Sequence, residues 1–214
     1  MVCTYEKDPG AIYRKSIEIV RAEADLSRFD EAEASVAARV IHACGIVEIA
    51  DDLQFSEGAV ASGVAALAGG APIISDCEMV AAGISLTVGH LMNPVLCLLN
   101  DPKVAPQAKA ESTTRSAAQV PLWHDLQEGS VIAIGNAPTA LFRLIEEIDA
   151  GAPLPAIVLG FPVGFVGSAE SKQALVRSNP LIPHVALLGR RGGSAMAAAA
   201  VNALARLATG RGGE

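Results

Sequence analysis

The chain has 214 residues and a mass of 21.9 kDa, enough for one substantial domain that buries roughly 70% of its unfolded surface. It is 51% hydrophobic and 18% charged, with a mean hydropathy of +0.38, 39 alanines and 20 glycines. That apolar content excludes disorder. A net charge of −7, an aromatic content of 4% and Trp123 as the only tryptophan exclude a nucleic-acid binder, which needs basic patches and stacking platforms.

The first ten residues carry Glu6, Lys7 and Asp8 without an apolar core, so no secretion signal is expected. Segment 10–25 follows with helical spacing, Tyr13, Ile17, Val20 and Ala24 forming one stripe. Asp30 with Glu33 three residues on resembles a capping box, opening a helix expected to run to about Ala50. A helix over 59–68 precedes an apolar strand at 72–75. The uncharged stretch 80–100 has spanning length. Gly83, Gly89, His90, Asn93 and Pro94 interrupt it, so it reads as a short helix, a loop and a strand at 95–99. Beyond the polar island Thr113-Thr114-Arg115-Ser116, strands at 131–135, 157–161 and 185–189 alternate with helices at 137–148, 169–177 and 194–208. Pro153, Pro155 and Pro162 rule out a spanning helix in the second uncharged stretch, 150–169.

Apolar runs that do not alternate belong to strands covered on both faces. The expected fold is therefore α/β: three layers, doubly wound, with a mainly parallel sheet of about five strands and an N-terminal helical extension. One domain is expected over 1–214, with residues 1–57 as a helical extension packed on a 58–210 core. Charge divides in the same sense: 1–57 holds 12 acids and 6 bases, 180–214 four arginines and one acid. Cys3, Cys44, Cys77 and Cys97 show no ligand-like spacing, so free thiols in a reducing compartment are expected, with no metal site. The protein is expected to be soluble and cytoplasmic.

On a helical wheel, Val36, Ala37, Val40, Cys44 and Val47 form the core stripe of the second helix. His42 lies off it, beside Arg39, Ile46 and Ser35, and this pair can serve as an acid and an anion clamp. A solvated helix face is the competing reading. His90, His124 and His184 sit in loop-like surroundings. Three glycine-rich turns follow strands, around Gly135-Asn136-Ala137, Gly164 and Gly189-Arg190-Arg191-Gly192, where a doubly wound sheet places its crevice. Their N–H groups suit carboxylates or phosphates, but tight connections also need glycine. None matches G-x-G-x-x-G or the P-loop. Arg115 among hydroxyls is a further candidate for a carboxylate. Composition and spacing name no reaction.

These segments resemble the precorrin-8X methylmutase family and its cobalt-precorrin-8 counterpart. The resemblance runs through Ala11-Ile12-Tyr13 to Ser16, Arg21-Ala22-Glu23-Ala24-Asp25-Leu26, His42-Ala43-Cys44-Gly45, and Ala71-Pro72-Ile73 with Asp76. It continues through Thr114-Arg115-Ser116-Ala117, Ile134-Gly135-Asn136-Ala137-Pro138-Thr139, Pro162-Val163-Gly164-Phe165-Val166-Gly167 with Ala169-Glu170-Ser171-Lys172, and Gly192-Gly193-Ser194-Ala195. It implies an isomerase that moves a methyl group from C-11 to C-12 of the tetrapyrrole precorrin-8X, giving hydrogenobyrinic acid without an external cofactor. It implies a catalytic acid at His42 and a homodimer with sites near the subunit interface. Ser16, Arg39, Arg115, Asn136 and Gly164, the last two through nearby N–H groups, are then the expected donors to the ring carboxylates. Three rivals remain at this point: a corrinoid carrier of the same fold, a cobalt-precorrin-8 methylmutase, and a nucleotide-dependent α/β enzyme. The missing glycine fingerprint weakens the last.

Overall fold

In the computed structural model, residues 5–85, 91–178 and 182–210 are described. Asp8 opens α1 (Pro9–Glu23) by accepting the Ala11 N–H at 2.7 Å, with Pro9 in the first turn. The capping box expected at α2 (Glu31–Cys44) is present. Asp30 accepts the Glu33 N–H at 2.8 Å, and Glu33 accepts the Asp30 N–H at 3.2 Å. The helix stops well before Ala50, because Gly45 takes a left-handed cap at φ 69°. Residues Val47–Asp52 form a 3₁₀ turn leading into β1 (Leu53–Phe55).

Next come α3 (Ala59–Ala68), β2 (Ile73–Ser75), α4 (Glu78–Gly83), β3 (Val95–Cys97), α5 (Val104–Ala110), α6 (Arg115–Ala118) and α7 (His124–Gln127). The chain then runs through β4 (Val131–Ile134), α8 (Pro138–Asp149), β5 (Ile157–Gly160), α9 (Ser168–Ser178), β6 (His184–Leu187) and α10 (Ser194–Ala208). The sheet order is β1-β6-β5-β4-β2-β3, parallel except for β1, which pairs antiparallel with β6. All five expected strands are found. The sixth, β1, lies within the 1–57 segment read as helical. Three residues with Gln54 at their centre carry too little pattern to be seen.

Strand residues alternate between two cores. Ile73, Val131, Ala133, Ile157, Leu159, Val185 and Leu187 meet α2, α3 and α10, while Ile74, Ile132, Ile134, Val158 and Ala186 meet α8 and α9. Small residues set the spacing of the first layer. A Cβ on Gly135 would lie 2.7 Å from Val80 Cγ2, 2.8 Å from Ser194 Cα and 2.9 Å from Ala197 Cβ, so only glycine lets α10 come this close. Among the described residues, no helix is long and apolar enough to cross a membrane. Cys44, Cys77 and Cys97 are free; Cys3 lies outside the described residues.

Candidate active site

The doubly wound order reverses between β2 and β4, where such sheets usually bind ligands. Here the chain fills that position itself. Asp76, fully buried after β2, accepts the N–H groups of Gly135 (2.9 Å), Asn136 (3.0 Å) and Ala137 (2.7 Å) at the start of α8. Burial pushes its carboxyl pKa up, against the pull of those three donors. The N–H groups expected to be free for a ligand around Asn136 are therefore engaged. That corrects the sequence expectation at this turn, leaving only the exposed Asn136 side chain available.

The open space lies across the sheet layer, between α2 and α10. A cavity of about 280 Å³ is lined by Arg39, His42 and Ala43 of α2, Gly83, and Ala195, Ala198, Ala199 and Asn202 of α10. The alanines make its wall smooth and apolar. Asn202 ties the end of α4 to it, its Oδ1 accepting the Ser85 N–H at 2.7 Å and its Nδ2 donating to the Gly83 carbonyl at 3.0 Å.

From α1, Tyr13 meets His42 edge to face, ring centroids 5.7 Å apart at 74°. The guanidinium carbons of Arg39 and Arg206 lie over the same ring at 5.4 and 4.9 Å. Sequence reading places Tyr13 on the stripe of the first helix and gives Asn202 and Arg206 no role. The signal for Tyr13 was its phenol on an otherwise aliphatic face. Arg39 Nε is buried and makes no hydrogen bond among the described residues, an arrangement suited to an incoming carboxylate. Burial first, then the charge of Arg39, hold the His42 pKa below its ordinary value.

A neighbouring cavity of about 310 Å³ continues along the first turn of α10, lined by Ile46, Val163, Gly164, Phe165, Arg190, Arg191, Gly192 and Met196. The Arg190 guanidinium sits 5.5 Å from the Phe165 ring centroid. The N–H of Gly164 itself donates to the Arg190 carbonyl at 3.2 Å.

Of the expected residues, His42 and Arg39 come together and Gly164 lines the adjoining cavity. Ser16 lies one turn after Tyr13 on α1, partly buried, and lines neither cavity. Arg115 is exposed and donates to the Leu99 carbonyl (2.8 Å) and Asn100 Oδ1 (2.6 Å) at the end of β3. His124 pairs with Glu147 at 3.1 Å, and buried His184 bonds the Ile182 carbonyl at 3.0 Å. His90 lies outside the described residues. Among the described residues, no three His, Cys, Asp or Glu side chains gather as a metal site would require.

The chain is similar to known proteins over most of its length. A family model described as precorrin-8X methylmutase matches residues 11–207. The chain is 54% identical over 201 residues to the precorrin-8X methylmutase of Pseudomonas aeruginosa, covering 94% of this chain and 97% of that one. It is 36% identical over 204 residues to the cobalt-precorrin-8 methylmutase of Methanocaldococcus jannaschii, covering 92% and 93%. The crystal structure of a precorrin-8X methylmutase from Thermus thermophilus superposes with a TM-score of 0.86 at 40% identity, covering 96% and 98%.

Proposed function

Since this chain belongs to the precorrin-8X methylmutase family, we propose that the cavity between α2 and α10 is where it moves a methyl group from C-11 to C-12 of precorrin-8X, with His42 as the acid. The chain is a methyl-shifting isomerase of cobalamin biosynthesis. The reaction rearranges its substrate without gain or loss of atoms. The protein must therefore lend a proton and take it back, and hold the ring in a reactive shape away from water.

The observation that carries this reading is the placing of His42 in an alanine-lined wall with Arg39 on the same turn. With its pKa lowered by burial and by Arg39, the free imidazole is mainly neutral at pH 7. A ring carboxylate seated on Arg39 offsets the charge that opposes protonation, so His42 takes up its proton together with the substrate. The Tyr13 ring holds both side chains in place. Arg39, Ser16, Arg115, Asn136 and the loop at Gly164 meet the carboxylate fringe, joined by Arg190 and Arg191, which sequence reading did not select.

The ring is metal-free, a reading supported by the higher identity to the precorrin-8X enzyme than to its cobalt-precorrin-8 counterpart. The working unit is a cytoplasmic homodimer. At about 280 and 310 Å³, the two cavities lie just below and at the bottom of the ~300–1,000 Å³ range of ligand pockets, and Phe165 and Val166, 87% and 89% exposed, offer apolar surface for a second subunit to close. Sedimentation of the purified protein tests that assembly, and a monomer at micromolar concentration would refute it.

The visible spectrum tests the chemistry. With wild-type enzyme, precorrin-8X converts to a corrin chromophore. His42→Ala should bind the pigment but slow conversion by about 10²–10⁴-fold, the range for a lost general acid. Conversion at the wild-type rate removes His42 from the acid role. A wild-type protein that binds the pigment without converting it is a carrier.

A further inference from the structure

Lys172 of α9 is fully buried, and nothing in the proposed chemistry uses it. Its Nζ donates to the Pro162 carbonyl at 2.9 Å and to the Arg191 carbonyl at 2.6 Å. These carbonyls belong to different loops, one following β5 and one following β6, and together the two loops form most of the 310 Å³ cavity.

The loops are pressed tightly together above the ammonium. The Gly193 N–H donates to the Phe161 carbonyl at 2.8 Å, and the Gly164 N–H to the Arg190 carbonyl. Ser168 Oγ shares the Pro162 carbonyl at 2.8 Å. Gly192, at φ 159°, has no room for a side chain, since a Cβ there would overlap the Phe161 and Pro162 carbonyl oxygens. A buried lysine is costly unless its donors are used, and a hydrophobic residue would serve if only packing mattered. Two carbonyl partners on two loops therefore point to a role in fixing how far apart the loops stand. Burial lowers its pKa to about 8, opposed by the charge of Asp52, so the ammonium form persists at neutral pH.

We propose that Lys172 is a positioning residue of the substrate cavity: by joining the Pro162 and Arg191 carbonyls it sets the spacing at which Arg190 and Arg191 meet the carboxylates of the tetrapyrrole. The inference rests on reading this cavity as part of the substrate site. Lys172 touches no substrate and acts only through the two loops.

Steady-state kinetics with precorrin-8X test it in a double-mutant cycle of Lys172→Met with the pair Arg190→Ala and Arg191→Ala. The expected result for Lys172→Met is a KM raised about tenfold with kcat within threefold of wild type. In the double-alanine background, Lys172→Met should add less than twofold to KM. An unchanged KM for Lys172→Met overturns the proposal, as does an equal tenfold rise in both backgrounds, or a fall in kcat alone. If the double-alanine protein has a wild-type KM, the reading of the cavity fails instead. Should Lys172→Met not fold, Gly192→Ala parts the same loops and leaves Lys172 in place. A tenfold rise in its KM supports the proposal, and an unchanged KM overturns it.

Discussion

Replacing Gly135 by alanine adds one methyl where the end of β4 meets α4 and α10. The new Cβ would stand 2.7–2.9 Å from Val80 Cγ2, Ser194 Cα and Ala197 Cβ, whereas carbon atoms settle at about 3.5–4.0 Å. Something must therefore yield by roughly 0.6–0.8 Å even to reach the short end of that range. The Val80 side chain can turn. The Ser194 backbone can move only if the first turn of α10 moves with it. Gly135 is not one of the positive-φ glycines, so no backbone strain adds to the steric cost. Overpacking of this kind costs about 1–3 kcal/mol, and a backbone obstacle favours the upper half of that range. At about 2–4 °C per kcal/mol for a chain of this size, the melting temperature should fall by roughly 4–12 °C. Because Ala195, Ala198 and Ala199 are carried on the same helix, the displaced wall should also lower kcat about tenfold, given that a 1 Å misplacement can cost ~10²-fold. Urea unfolding and turnover of precorrin-8X measure the two effects. A stability within about 0.5 kcal/mol of wild type, the usual size of an innocuous surface change, would refute the packing argument, and an unchanged kcat would refute the link to the site.

Arg39→Gln should raise the His42 pKa, because it removes the positive charge that helps hold it down. In a titration of the imidazole by NMR the midpoint moves to higher pH, and the alkaline limb of kcat/KM, which follows loss of the acid's proton, moves the same way. Asp76→Asn puts an amide N–H against one of the three donors at the start of α8, so denaturant unfolding should show a loss of about 2–3 kcal/mol. Lys172 binds its proton less tightly folded, at about pH 8, than unfolded, at 10.5. The unfolded chain therefore holds more protons between those values, and stability should rise across that window by up to about 3 kcal/mol. In Lys172→Met this contribution to the slope should vanish, as unfolding curves at pH 7.5, 9 and 10.5 will show.

Strong repeating patterns made most of the fold legible. Five apolar runs without polar alternation gave the parallel strands, and the Asp30–Glu33 box marked the start of α2. The end of α2 was missed because Val47 continued the apolar spacing past Gly45, whose left-handed cap breaks the helix. At the site, His42 and Arg39 could be paired from their i, i+3 spacing on one helix. Tyr13, Asn202 and Arg206 could not, because α1 and α10 reach α2 only in the folded chain. The turn at Asn136 misleads for a related reason. Its N–H groups look free from neighbouring residues alone, while Asp76, far away in the sequence, accepts them.

The antiparallel strand β1 has a consequence for how the chain can be cut. Leu53, Gln54 and Phe55 cover the outer edge of β6 through register with Leu187, Ala186 and Val185, and the segment carrying His42 lies just upstream. A fragment beginning at residue 58 would lose His42, the proposed acid, and also bare a row of unpaired backbone groups along an apolar strand, an invitation to edge-to-edge aggregation. Trimming and circular permutation must therefore spare the connection from α2 to β1. Arg28 fastens it further, donating to the Ala50, Asp51 and Leu53 carbonyls at 2.6, 3.2 and 2.5 Å. Solubility and chemistry are thus inherited through one stretch of about thirty residues.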